Sequence, residues 1–174
     1  MFAHDWMFVL KVGDPAPAFS GTDHRGRHVA IPDLVRAGPV ILYFYPKSFA
    51  LACTSQTCSY RDAYLEFKAM GAEVVGVSLD PASQHRDFAS EFRVPFSLLS
   101  DSEKSLVTRF DVMHFHKLFP KRVTYVIDKS MTVRGVFHHE INVTKHVKEV
   151  RALLEALQEE RRRENEEVLK RLRA

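Results

Sequence analysis

Thiols are scarce in this 174-residue sequence, which contains two cysteines, one tryptophan and seven glycines. So few cysteines exclude a disulfide-stapled secreted scaffold and leave Cys53 and Cys58 as reactive, metal-binding or incidental side chains. No apolar run reaches the ~20 residues needed to span a bilayer. An excess of one charge is also missing, since 25 Lys and Arg stand against 22 Asp and Glu, a formal net of +3. Gln158–Ala174 carries six basic and five acidic residues, a net of +1, which leaves +2 for the preceding 157. Without a basic stripe to neutralise phosphates, nucleic acid is not an expected partner. Met1–Leu10 is apolar, but it contains Asp5 and lacks a cationic start and a small-residue cleavage site. No signal peptide and no membrane partner are therefore expected, and the setting is read as reducing and cytoplasmic.

What is present suits one globular domain of ordinary composition, 45% hydrophobic and 27% charged, without repeats or low-complexity linkers. Val12–Ala37 is turn-rich, with a hairpin tip at His24–Arg27, and reads as an extended arm with short strands. Pro39–Tyr45 (PVILYFY) is a continuous apolar, β-branched and aromatic run, the pattern of a strand buried on both faces and ended by Pro46. From Cys53 to Met70, Tyr60, Ala63, Tyr64 and Phe67 recur at helical spacing, and Gly71 suits the residue after the helix. Ala72–Leu79 is a second strand, followed by a helix to about Phe92 with Asp80 as N-cap and Pro81 at its first position. Pro95–Leu99 reads as a short strand, Asp101 caps a helix to Phe110, and Val123–Ile127 and Thr132–His138 form a late hairpin. This alternation predicts an α/β, thioredoxin-like fold: a mixed central sheet flanked by helices, an N-terminal strand extension and a long C-terminal helix. One domain is expected over 1–157, with Val147, Val150, Leu153, Leu154 and Leu157 as the apolar stripe of the last helix. A charged helical extension covers 158–174, as a solvated tail or, alternatively, a partner-docking or self-associating helix.

Cys53 falls at a strand-to-helix junction, in the first turn of the predicted helix. Unpaired N–H groups and the helix dipole there favour an anion such as a thiolate, and thiol pKa values at such positions fall to anywhere in the range ~3.5–7.5. Cys58 is five residues on, which places the two side chains roughly 140° apart around an intact helix. A disulfide needs Cα atoms within about 7 Å, so pairing requires the first turns to unwind. Other readings of the pair are small buried packing or a zinc half-site completed by His114, His116, His138 or His139. The nine histidines are more simply read as scattered exposed imidazoles.

The run YFYPKSFALACTSQTCSYRD, Tyr43–Asp62, resembles the active-site segment YFYPKxFTPGCTxEACxFRD of the bacterioferritin-comigratory-protein or PrxQ group of peroxiredoxins. The resemblance continues through VGDPAPAF, VVGVSLD, VPFSLLSD and RVTYVID and spans about Val12–Leu157. It implies a thiol-dependent peroxidase for hydrogen peroxide and organic hydroperoxides that needs no cofactor or metal. Cys53 would be the peroxidatic thiolate and Cys58 the resolving thiol of an intramolecular disulfide, recycled by thioredoxin or a glutaredoxin-like dithiol. The same resemblance makes Arg122 the guanidinium beside the thiolate and Pro46 the proline that covers it. It implies a monomer or weak homodimer.

This chain departs from the pattern at the pocket. Ala50 replaces the Thr or Ser whose hydroxyl binds peroxide, Leu51-Ala52 replaces Pro-Gly, and Gln56 replaces Glu. By analogy with the loss of one oxyanion donor, the missing hydroxyl costs ~3–4 kcal/mol, or roughly 10²- to 10³-fold in rate. Ser48 and Thr54 carry the hydroxyls that would substitute. The alternative function is therefore a catalytically weakened redox sensor or interaction module. A copper or zinc carrier on the same scaffold is a third reading, although such carriers space their cysteines one residue closer.

Overall fold

The computed structural model describes residues 10–114 and 116–173. The expectation about a signal peptide rests on Met1–Leu10, of which residues 1–9 lie outside the described residues. Among the described residues no helix is long and apolar enough to cross a membrane.

A two-stranded antiparallel ribbon opens the fold, with β1 at Ser20–Thr22 and β2 at His28–Ala30. Its tip is built by Asp23, whose carboxylate accepts the backbone N–H groups of Arg25 and Arg27. The helix α1 (Ile31–Ala37) follows directly. It corrects the expectation of an extended arm up to Ala37: seven residues are too few for a clear period, but Ile31 and Val35 lie one turn apart and are both buried.

The remaining elements are β3 (Val40–Phe44), α2 (Leu51–Ala69), β4 (Glu73–Ser78), α3 (Ala82–Glu91), β5 (Ser97–Ser100), α4 (Ser105–Arg109), β6 (Val123–Ile127), β7 (Val133–His138) and α5 (Thr144–Arg173). Five strands form one sheet in the order β5-β4-β3-β6-β7. β3 pairs parallel with β4, β4 parallel with β5, and β6 antiparallel with both β3 and β7. This is the thioredoxin-like mixed sheet expected from the alternation of elements and the late hairpin.

Strand side chains alternate between faces, so the central strand serves two cores. Val40, Leu42 and Phe44 face a core completed by α1 and by Leu106, Val107 and Phe110 at α4. Ile41, Tyr43 and Tyr45 face the other, with Tyr60 and Phe67 of α2, Phe88 of α3 and Val150 and Leu154 of α5. Every residue of β3 is buried, which is why its sequence shows no polar alternation. The second core leaves no room for a side chain at Gly76 of β4, where a Cβ would lie 2.7 Å from the Tyr43 ring.

Helix ends follow local chemistry. At the end of α2, Gly71 adopts φ +80 and donates to Lys68 O while Ala72 donates to Phe67 O, the paired bonds of a Schellman motif. α4 takes its N-terminal bonds from Asp101, whose carboxylate accepts Leu106 N–H and Val107 N–H. Asp80 does not cap α3 as expected. The N-cap is Pro81, in an extended conformation, and the Asp80 carboxylate turns instead toward the loop after β3. α5 is one uninterrupted helix across residue 157, and its buried residues are His146, Val147, Val150 and Leu154.

Candidate active site

The loop after β3 carries the chain from the sheet to α2. Ser48 N–H donates to Asp80 Oδ2 at 2.6 Å, and Ser78 Oγ donates to the same oxygen at 3.0 Å. The hydroxyl of Tyr45 lies 3.2 Å from Ser48 Oγ and 3.2 Å from His85 Nε2. This buried cluster pins the loop from below and accounts for the unexpected position of Asp80. It also engages Ser48 with Tyr45 rather than with Cys53. Phe49 then takes the left-handed conformation at φ 65, a strained choice for an aromatic residue, and its ring packs 5.1 Å from that of Phe88. The turn delivers Ala50 as the N-cap of α2, extended at φ −66 and ψ 138, with no side-chain cap hydrogen bond. Pro46 sits half-buried at the start of this loop, and Thr54 is half-buried in the first turns of α2.

Cys53 is therefore the third residue of α2, among the N–H groups that lack helical partners. It is 1% exposed. From the residue just before the neighbouring strand β6, Arg122, itself 4% exposed, donates from Nη2 to Cys53 Sγ at 3.3 Å and from Nη1 to Gln56 Oε1 at 2.7 Å. The antiparallel register that sets Phe44 opposite Val123 brings Arg122, 69 residues away in sequence, to the thiol. Gln56 is one turn after Cys53 on the same inward face, and its Nε2 is buried without a hydrogen-bond partner. So the sequence-predicted Cys53, Arg122 and Gln56 meet, with Ala50 at the rim of the same helix end.

Cys58 stands apart. Both thiols are free, and Cys58 is only partly buried, on a different side of an intact α2. Burial pushes its thiol pKa up, more than the nearby Arg61 guanidinium pulls it down. Below it the inner face of the helix is tied to the sheet: Tyr43 OH lies 3.1 Å from Thr57 Oγ1, and Tyr60 OH lies 2.9 Å from Thr124 Oγ1.

Two groups near the site were not anticipated. Glu140, in the loop between β7 and α5, accepts the backbone N–H of Arg122 through Oε1 at 3.1 Å. Its Oε2 lies 4.0 Å from Arg122 Nε. His146, in the first turn of α5, is buried, with Nδ1 3.0 Å from Thr124 Oγ1. His85 and His146, with His24 beside β5, are all buried and correct the reading of the histidines as exposed; for His85 and His146 the burial lies at the site. Burial pushes both down to about 4. Their sequence signal was faint: His146 sits at a helical spacing from Val150, and Glu140 merely ends the run His138-His139-Glu140. Among the described residues, no three His, Cys, Asp or Glu side chains stand together to hold a metal ion.

A model of the AhpC/TSA family matches residues 12–136. The chain is 38% identical over 146 residues to the chloroplastic peroxiredoxin Q of Sedum lineare, covering 83% of this chain and 78% of that protein. The corresponding protein of Populus jackii is 37% identical over 149 residues, covering 85% and 70%. Among solved structures, the peroxidoxin BcpB of Mycobacterium tuberculosis superposes with a TM-score of 0.80 at 35% identity, covering 84% of this chain and 97% of that one. The peroxiredoxin Q of Xanthomonas campestris gives 0.73 at 26% identity, covering 79% and 90%.

Proposed function

The chain belongs to the AhpC/TSA family, as a peroxiredoxin of the Q type, and on that premise we propose that it reduces peroxides through Cys53 and Cys58. The observation that carries this reading is the contact of Arg122 Nη2 with the buried Cys53 Sγ at 3.3 Å, a fixed positive charge beside a sulfur at a helix N-terminus. The Cys53 thiolate attacks one oxygen of ROOH, so that an S–O bond forms and the O–O bond breaks. The alkoxide leaves and takes up a proton as ROH, and Cys53 becomes a sulfenic acid. The Cys58 thiolate then attacks that sulfur, hydroxide departs and is protonated to water, and the disulfide is returned to two thiols by thioredoxin or a similar dithiol. Hydrogen peroxide and small organic hydroperoxides are the substrates. The cycle fits a reducing compartment and a monomer or weak homodimer.

Peroxide consumption coupled to a thioredoxin system tests this. Wild type is expected to turn over, Cys53→Ser to be inert, and Cys58→Ser to stop after one equivalent. A Cys53 that reacts no faster than free cysteine overturns the enzyme reading.

One observation favours a second reading. Ala50 offers no hydroxyl at the N-cap, and that of Ser48 is engaged with Tyr45. A redox-responsive module that reacts slowly and signals through its disulfide would have such a pocket. It predicts slow turnover even with excess reductant, and little gain from Ala50→Thr.

A further inference from the structure

Arg122 is a buried cation whose three donor faces meet three groups, and two of these cannot be relied on for a counter-charge. Gln56, at Nη1, is neutral. Cys53, at Nη2, is negative only as a thiolate, and loses that charge as a thiol, sulfenic acid or disulfide. The third face, Nε, has no hydrogen-bond partner and looks toward Glu140 Oε2 at 4.0 Å. A guanidinium this deep needs an anion nearby, because the cost of removing it from water is offset only by a partner. We propose that Glu140 is a positioning residue for Cys53 acting through Arg122, anchoring the arginine and serving as its standing counter-charge in competition with the thiolate.

Glu140 is held for this task. Oε1 accepts Arg122 N–H at 3.1 Å and lies 2.8 Å from His138 Nε2, so the carboxylate bridges the end of β7 to the residue that leads into β6. Burial raises the Glu140 pKa, but the His138 contact, the Arg122 N–H and the guanidinium outweigh it and hold the carboxyl below its ordinary range. It remains an anion wherever a thiol titrates. The other charged or titratable groups around the pair are His138 on β7, His146 on α5 and Lys121, the chain neighbour of Arg122. The Glu140 side chain is 42% exposed, so water screens its field and the effect on Cys53 is modest. When Cys53 ionises, thiolate and carboxylate share one cation. When it does not, the carboxylate keeps the arginine from turning away.

The role in turnover rests on Cys53 being the peroxide-reactive thiol, but the coupling can be measured without peroxide. The ultraviolet absorbance of the thiolate, followed against pH in Cys58→Ser with Cys53→Ser/Cys58→Ser as blank, gives the ionisation midpoint of Cys53. Glu140→Gln keeps an acceptor for Arg122 N–H and deletes the charge. Its midpoint is expected about 0.5 pH unit lower, with the shift shrinking in high salt. Gln56→Glu, which places a second carboxylate on Arg122, is expected to raise the midpoint, and the double variant to return near wild type. An unchanged or higher midpoint in Glu140→Gln overturns the proposal, as does a Gln56→Glu variant that fails to raise it. Absent peroxide turnover in wild type, with these shifts intact, would sink the peroxidase reading and leave the coupling standing.

Discussion

Ala50 carries two roles with one missing atom group. As the N-cap of α2 it leaves the helix without a side-chain acceptor for its first N–H groups, and as the residue before the Cys53 turn it leaves the pocket without a hydroxyl. Thr at an N-cap is worth about 0.5–2 kcal/mol over Ala. Ala50→Thr is therefore expected to raise the thermal midpoint by roughly 2–4 °C per kcal/mol gained, measured by calorimetry. Under the peroxidase reading the same variant gains in peroxide rate, up to the roughly 10²- to 10³-fold that one oxyanion donor supplies. A stability gain without a rate gain would separate the roles and favour the sensor reading. Single positions were legible in the sequence to very different degrees. Cys53, Arg122 and the absence at Ala50 stand inside recognisable runs. The task of Asp80, read as a helix N-cap, and that of Glu140 were not legible, because their partners, Ser48 and Arg122, lie 32 and 18 residues away and are brought near only by the fold.

At the scale of the element, α2 is both the platform for Cys53 and the obstacle to its pairing with Cys58. Five helical residues rise about 7.5 Å, beyond the Cα separation a disulfide accepts. Oxidation must therefore open the start of the helix. The ties from Tyr43 to Thr57 and from Tyr60 to Thr124 mark where the opening meets resistance. Hydrogen exchange on the peroxide-oxidised protein is expected to show faster exchange over residues 51–58 and unchanged protection over 61–69. Equal protection of residues 51–58 in both redox forms would rule out such unwinding. The elements themselves were largely readable, since β3, α2, β4 and β6 have long apolar or helical periods. α1 was not, because a helix of seven residues between a hairpin and Gly38 offers barely two turns of pattern.

The whole molecule stores a dependence on pH in its buried imidazoles: burial lowers that of His24 beside β5, and lowers most those of His85 and His146, which flank the site. His85 bonds Ser78 and Tyr45 beneath the loop, and His146 bonds Thr124 beside β6. Each titrates at about 4 in the folded protein against an ordinary 6.5. Since the folded pKa lies below the unfolded one, the unfolded chain takes up protons first as pH falls. Stability is then flat above about 6.5 and declines between there and about 4, by of order 3 kcal/mol for each histidine. Urea titrations from pH 7.5 to 4.5 are expected to show this fall, with His85→Gln and His146→Gln each removing part of the slope. A flat profile in wild type would contradict it.

At the same scale, among the described residues the last hydrogen bonds from α5 to the body run through Gln158, whose Nε2 reaches Met70 O, and Glu160, whose carboxylate accepts from Arg134. Met70 ends α2 and Arg134 starts β7, both at the pole of the sheet away from Cys53. From Arg161 to Arg173 the helix runs on for about 20 Å. That makes this stretch of helix a handle: held by it to a solid support, the protein would stand off the surface as on a short stem, with the end of the sheet that carries the Cys53 pocket turned away from the support.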